Sequence, residues 1–158
     1  MPRLPTINPR IVDALYCEAL VLADEVRTAF DKARLQAQAE GADQIGDELD
    51  RVALSCEALR TTTRVMHCMA WLLNHRAFFA GELSELQLRR HGKLIGSFPG
   101  SDPQTAGKLP PAIRALIGES ERLYERIQRL EQAWRGTPAS GAPSAIERLR
   151  ERLSAQMH

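Results

Sequence analysis

The sequence predicts an all-α protein: an antiparallel three-helix bundle with long helices, a helix-loop connector before the third helix, and a flexible C-terminal tail. Three observations carry this. Between Ile45 and Ala77, apolar or small residues recur in an unbroken four-three spacing, the mark of a helix seam. Two further stretches, Val12 to Ala33 and Ile113 to Trp134, repeat it. Aromatic residues make up only 5% of the chain while Ala, Leu, Glu, Arg and Gln abound, which favours helix over sheet.

Residues 1–8 read as a disordered lead-in, with prolines and no period. The bundle covers 9–135. Asn8 is placed to cap the first helix, with Pro9 at its first position. Val12, Leu15, Ala19, Leu22, Val26, Ala29 and Ala33 form its apolar stripe, and Gly41 stops it after Glu40. Only Gly41 and Ala42 precede the second helix, so the two run antiparallel. That second helix is the centre of the design, about ten turns and roughly 50 Å long. Its seam is Ile45, Leu49, Val52, Cys56, Leu59, Thr63, Met66, Ala70, Leu73 and Ala77, and it is expected to face the core. Cys56 then reads as a small core hydrophobe. On the same basis, truncating Met66 to Ala would cost about 2 to 5 kcal/mol. Asp43, Asp47, Glu48 and Asp50 near the start, with Arg60, Arg64 and Arg76 later, complement the helix dipole and leave a wet face.

The second half of this helix is apolar in more than one direction. Val65, Met69, Leu72 and Phe79 make a stripe rotated by roughly 100° from the seam, and Trp71 and Phe78 face elsewhere again. A three-helix bundle covers two directions, which makes Val65, Met69, Trp71, Leu72, Phe78 and Phe79 a candidate self-association or partner surface. The competing reading is core packing, with Leu83, Leu86, Leu88, Leu94 and Ile95 of the connector covering the third side.

The connector, residues 81–109, opens at Gly81. Ser84 with Gln87 reads as a capping box for a short helix ending at Gly92. From Leu94 to Pro111, four prolines and three glycines predict a loop. Pro111 starts the third long helix, with Ile113, Leu116, Ser120, Leu123, Ile127, Leu130 and Trp134 as its seam, and with Glu125–Arg129 and Glu131–Arg135 pairs on its outer side. Residues 136–158 are linker and tail. Gly136 to Pro143 is a flexible linker. Beyond it, Ser144 and Glu147 form a capping box for a short amphipathic helix whose apolar row, Ile146, Leu149, Leu153 and Met157, is a candidate partner contact.

Net charge is +1, with acids and bases interspersed, so no general field holds a polyanion and nucleic acid is an unfavoured partner. Arg89, Arg90, His91 and Lys93 form a basic cluster that reads as a solvated helix end; as a contact to nucleic acid, Arg89, Arg90 and Lys93 carry the alternative reading, a helical nucleic-acid-binding regulatory protein. Three cysteines, an odd number without paired spacing, point to reduced thiols and a cytoplasmic location. There is no signal-peptide core and no apolar run long enough to span a membrane. None of His67, His75, His91 or His158 follows a Glu by three residues, and neither HExxH nor a P-loop occurs. Cys68 and His75 sit about 10 Å apart along one helix, too far to share a zinc unaided. The expectation is a non-enzymatic protein with no cofactor and no metal.

The run Met69-Ala70-Trp71-Leu72-Leu73, followed by Ala77 and by Gly81-Glu82-Leu83-Ser84, resembles the alphaproteobacterial family named for the regulator of CtrA degradation. Leu109-Pro110 and the stretch Leu123-Tyr124 to Arg129-Leu130 extend the resemblance over most of 9–135. These are packing residues, not a catalytic signature. The resemblance implies a small cytosolic three-helix bundle, a homodimer, acting as an adaptor that helps the ClpXP protease and its priming factors reach cell-cycle substrates such as CtrA. One departure stands out: that family's tail is polar and disordered, whereas Ser144 to Met157 here has a helical pattern.

Overall fold

Asn8 and Pro9 begin the first helix as their residue types dictate: the Asn8 side chain accepts from the Arg10 N–H at 2.9 Å, and Pro9 has no N–H to leave unpaired. A computed structural model describes residues 7–40, 45–95, 100–136, 149–150 and 152–154. Its order is α1 (Pro9–Ala39), α2 (Ile45–Phe79), α3 (Glu85–His91), α4 (Pro103–Gly107) and α5 (Pro111–Arg135). Residues 149–150 and 152–154 are also helical, and no strand occurs among the described residues. The fold is all-α. The three long helices α1, α2 and α5 each touch the other two.

The stripe of α1 packs as its spacing predicts. Val12, Leu15, Ala19, Leu22 and Val26 are buried, and Phe30 joins them where Ala29 and Ala33 leave room. From α5, Ile113, Leu123, Ile127 and Trp134 meet this stripe, while Ile117 and Tyr124 are buried in place of the half-buried Leu116 and Leu130. Ile7 is also buried in the core, so the last apolar residue of the expected lead-in is anchored. Residues 1–6, the Gly41 stop and Ala42 lie outside the described residues.

The register of α2 differs from expectation. Leu49, Val52, Leu59, Met66 and Leu73 point away from the core, and Cys56 is exposed with them. The inward face carries Glu57, Thr61, Arg64, Val65, Cys68, Trp71, Leu72 and His75, all buried. These residues recur every three or four positions too, on the opposite side of the helix. The four-three period was the same on both faces, so period alone could not say which one α1 and α5 cover. Met66, 63% exposed, is a surface residue, and the loss expected for its truncation moves to the inner face.

The connector begins at Gly81, whose φ of 79° lies in the left-handed region that a residue with a Cβ enters only at a cost. The capping box forms: Gln87 N–H donates to Ser84 Oγ at 3.1 Å and Ser84 N–H to Gln87 Oε1 at 2.9 Å. The Pro-rich stretch is not wholly loop. Asp102 caps α4, accepting from the Gln104 N–H, with Pro103 at its first position, the same signature as Asn8–Pro9. Leu88 and Leu94 are buried and Leu83 is half-buried, so these residues of the connector supply the cover on the third side of the apolar half of α2, whereas Leu86 and Ile95 are exposed and take no part in it. It is pinned to α5 by Leu94 N–H to Glu131 Oε1 at 2.8 Å and by Tyr124 O–H to the Ile95 carbonyl. The Glu131–Arg135 pair, at 3.0 Å, therefore sits against the connector and not on the outer side.

Candidate interaction surface

The outward seam of α2 runs from Leu49 to Leu73, an apolar stripe about 36 Å long. Leu59 at its middle is 70% exposed. Around it a shallow hollow of about 380 Å³ is lined by Val52, Cys56 and Leu59, with Glu48 and Arg51 at its edge. α1 flanks one side, where Arg76 bonds Asp13 at 3.1 Å and stacks over the Tyr16 ring. On the α4 side, Lys108 lies 3.9 Å from Asp50. A contiguous apolar stripe of this size on a water-exposed face marks an interaction surface.

The other face of α2 carries polar groups inward. Arg64, only 2% exposed, donates to Ser120 Oγ at 2.8 Å, and Ser120 in turn donates to the Ile117 carbonyl at 2.6 Å. Glu121 approaches the guanidinium at 3.8 Å and accepts from the Ser101 N–H. Burial lowers the Arg64 pKa, while Glu121 and Glu57 oppose that shift by favouring the cation. Glu57 is buried and paired with Arg60, yet its Oε2 and the Thr61 hydroxyl find no hydrogen-bond partner among the described residues. Cys68 lies beside this group. Burial pushes its thiol up to about 12, against the pull of Arg64, so it is an inert thiol. Two turns further on, His75 is stacked on Trp71, ring centroids 3.8 Å apart, and meets Trp134 edge-on at 5.2 Å. Desolvation, with Arg135 adding to it, drops the His75 pKa to about 4.

Of the residues proposed from sequence for self-association, Val65, Trp71 and Leu72 are buried inside the chain, and Met69, Phe78 and Phe79 are half-buried against the same core. Their apolar character serves the chain's own packing, because α3 and the following segment cover the direction that α1 and α5 leave open. In the tail, Leu149 and Leu153 are exposed; Ile146, Met157 and the Ser144–Glu147 capping box lie outside the described residues. The basic cluster is split. Arg89 pairs with Glu85 at 3.2 Å and stacks over Trp134, while Arg90, His91 and Lys93 are exposed. Sequence reasoning missed Glu57, Thr61 and Arg64 as buried groups, whereas Ser120 is buried in the seam read for the third helix. The available signal was the second period through Thr61, Arg64, Cys68 and His75, which the charges concealed.

Among the described residues, no group of three or more His, Cys, Asp or Glu side chains is placed to hold a metal, and no helix is long and apolar enough to cross a membrane. These features define an all-helical protein with an apolar seam on the outside of its central helix. The chain belongs to the family described as a protein of unknown function (DUF1465), whose model matches residues 4–157. No curated protein and no solved structure matches it.

Proposed function

We propose that this protein is a cytoplasmic, non-enzymatic adaptor built on a three-helix bundle, which helps deliver cell-cycle regulators such as CtrA to the ClpXP protease by protein–protein contacts. The outward seam of α2 carries the contact reading: a chain that exposes Leu49, Val52, Leu59, Met66 and Leu73 in one row has a macromolecular surface to cover. The identity of the protease and its substrates rests on the resemblance through Met69 to Leu73 and Gly81 to Ser84 to the family named for the regulator of CtrA degradation. The groups whose pKa values burial shifts, Arg64, Cys68 and His75, are enclosed by packing and do not line an open cleft, and the one exposed shifted group, Asp102, is lowered by its capping bonds to Thr105 and Gln104, which fits contact and not turnover.

The test is degradation of CtrA by purified ClpXP and its priming factors, with and without this protein. Faster degradation in its presence supports the adaptor role. An unchanged rate, together with no retention of the protease or its priming factors on immobilised protein, overturns it.

A further inference from the structure

We propose that residues 81–95 form a hinged strap, clasped shut over the junction of α2 and α5 by Glu131, and that the strap opens as one unit while α1, α2 and α5 stay folded. This goes beyond the contact reading above and does not depend on it. Three observations point to a strap and not to a further piece of core.

The first is the hinge. Gly81 takes a φ of 79°, and a Cβ there would meet no atom within 4 Å, so no side chain wedges the turn. The main-chain bonds that close α2 end at Leu83, whose N–H donates to the Ala77 carbonyl at 3.4 Å. Beyond it, α3 is seven residues long, too short to hold its shape alone, and among the described residues no main-chain bond joins residues 84–95 to a long helix.

The second is the way the strap is fastened. Its ties to α5 run from main chain to side chain: Arg135 Nη1 donates to the Arg89 carbonyl at 3.0 Å, the Leu94 N–H donates to Glu131 Oε1 at 2.8 Å, and the Tyr124 O–H donates to the Ile95 carbonyl. Glu131 Oε1 also accepts from Arg135 Nε at 3.0 Å, which aims the guanidinium at Arg89. One carboxylate, 7% exposed, therefore sets the ties at both ends of the span from Arg89 to Leu94. Ties that share one group are made and lost together.

The third is what lies beneath. Arg89 stacks over Trp134 at 4.5 Å, the Trp134 ring meets His75, and His75 stacks on Trp71. Leu88 and Leu94 are the strap's only buried apolar side chains, whereas α1 alone buries six, so lifting the strap uncovers far less of the core than parting the long helices does. The open form displays the outer face of Trp134, with the aromatic row behind it.

Hydrogen exchange of the full chain in increasing urea tests the strap. The amides of Leu88, Gly92 and Leu94, each hydrogen-bonded in the closed form, are expected to exchange through one common opening, at least about a hundredfold faster than those of Leu72 and Ile127 and with a much weaker urea dependence. Equal protection and equal urea dependence in the two sets would make the strap part of the core and overturn the proposal. Fast but unrelated rates at the three amides would show fraying residue by residue and overturn it as well.

Glu131→Gln tests the clasp. Gln keeps an acceptor for the Leu94 amide and loses the charge that holds Arg135, so the strap amides are expected to exchange about tenfold faster. Glu125→Gln, at an exposed carboxylate of α5 without a tie to the strap, is expected to leave them unchanged. Unchanged exchange in Glu131→Gln, or the same acceleration in both variants, overturns Glu131 as the clasp. Circular dichroism checks that each variant is folded. If Glu131→Gln is not, Arg135→Lys, which keeps the charge and loses the reach to the Arg89 carbonyl, takes its place with the same expected direction, and the exchange pattern of the unmodified chain decides the strap without either.

Discussion

Replacing His75 with Phe tests the packing of the inner face of α2 through its pH dependence. His75 is 1% exposed, lies between Trp71 and Trp134, and its Nε2 has no hydrogen-bond partner among the described residues. Desolvation, then Arg135, holds its pKa at about 4, against about 6.5 for a free imidazole. The folded chain therefore resists protonation that the unfolded chain accepts. Stability attributable to this residue is intact above about pH 6.5, falls as the pH drops towards about 4, and stops changing below that. The fall from about 6.5 to about 4, at about 1.4 kcal/mol for each tenfold change in proton affinity, gives a loss of about 3.5 kcal/mol across the full window. Phe keeps an aromatic ring between the two tryptophans and cannot take a proton. Urea unfolding at one fixed protein concentration, from neutral pH to about 4.5, measures the difference in slope between the two proteins. Carboxylates titrate equally in both and cancel. Parallel stability curves would refute the reasoning, because His75 would then be solvated or paired in the native state.

Three further outcomes follow from the register of α2, from the turn at Gly81 and from the tail. Leu72→Ala, at a fully buried position, costs about 2 to 5 kcal/mol in chemical unfolding, whereas Met66→Ala costs less than about 1 kcal/mol in the dilute chain. The reverse order would return the seam to the core. Gly81→Ala meets no neighbouring atom, so its loss of about 1 to 2 kcal/mol is conformational and appears undiminished when nearby side chains are shortened. A chain ending at Gly136 keeps its melting temperature, since Leu149 and Leu153 are exposed, but loses delivery of at least one substrate to the protease. Unchanged degradation refutes the tail's role, and a marked drop in melting temperature shows that it is structural.

The starts of α1, α3 and α5 and the end of α2 were legible because each has a local cause that needs no tertiary information: Asn8–Pro9, the Ser84–Gln87 box, Pro111 and the Gly81 stop. The face that each helix buries was legible only where one face was polar. α1 and α5 have a single apolar stripe. α2 has two sets of residues at the same period, and its charged residues proved misleading: Arg64 and Glu57 are inside, and Leu59 and Met66 are outside. A guanidinium enters a core only when a partner on another helix is ready, and Ser120, 56 residues away, is invisible to any local pattern. The same limit hid Glu131, whose link to the Leu94 amide turned a surface pair into a connector anchor. α4 was hidden for a different reason. Counting prolines and glycines marked a loop, although Asp102–Pro103 repeats the start of α1.

The placement of the three cysteines gives the chain three clocks for a thiol reagent. Cys17 on α1 is exposed and is modified without any opening of the fold. Cys56 is exposed in the outward seam, so its modification reports whether that seam is open or covered. Cys68 is fully enclosed, and its thiolate is disfavoured by burial, so it reacts only when α2 leaves α1 and α5. One labelling time course on unmodified protein, resolved by residue, thus separates direct reaction, cover of the seam and opening of the core.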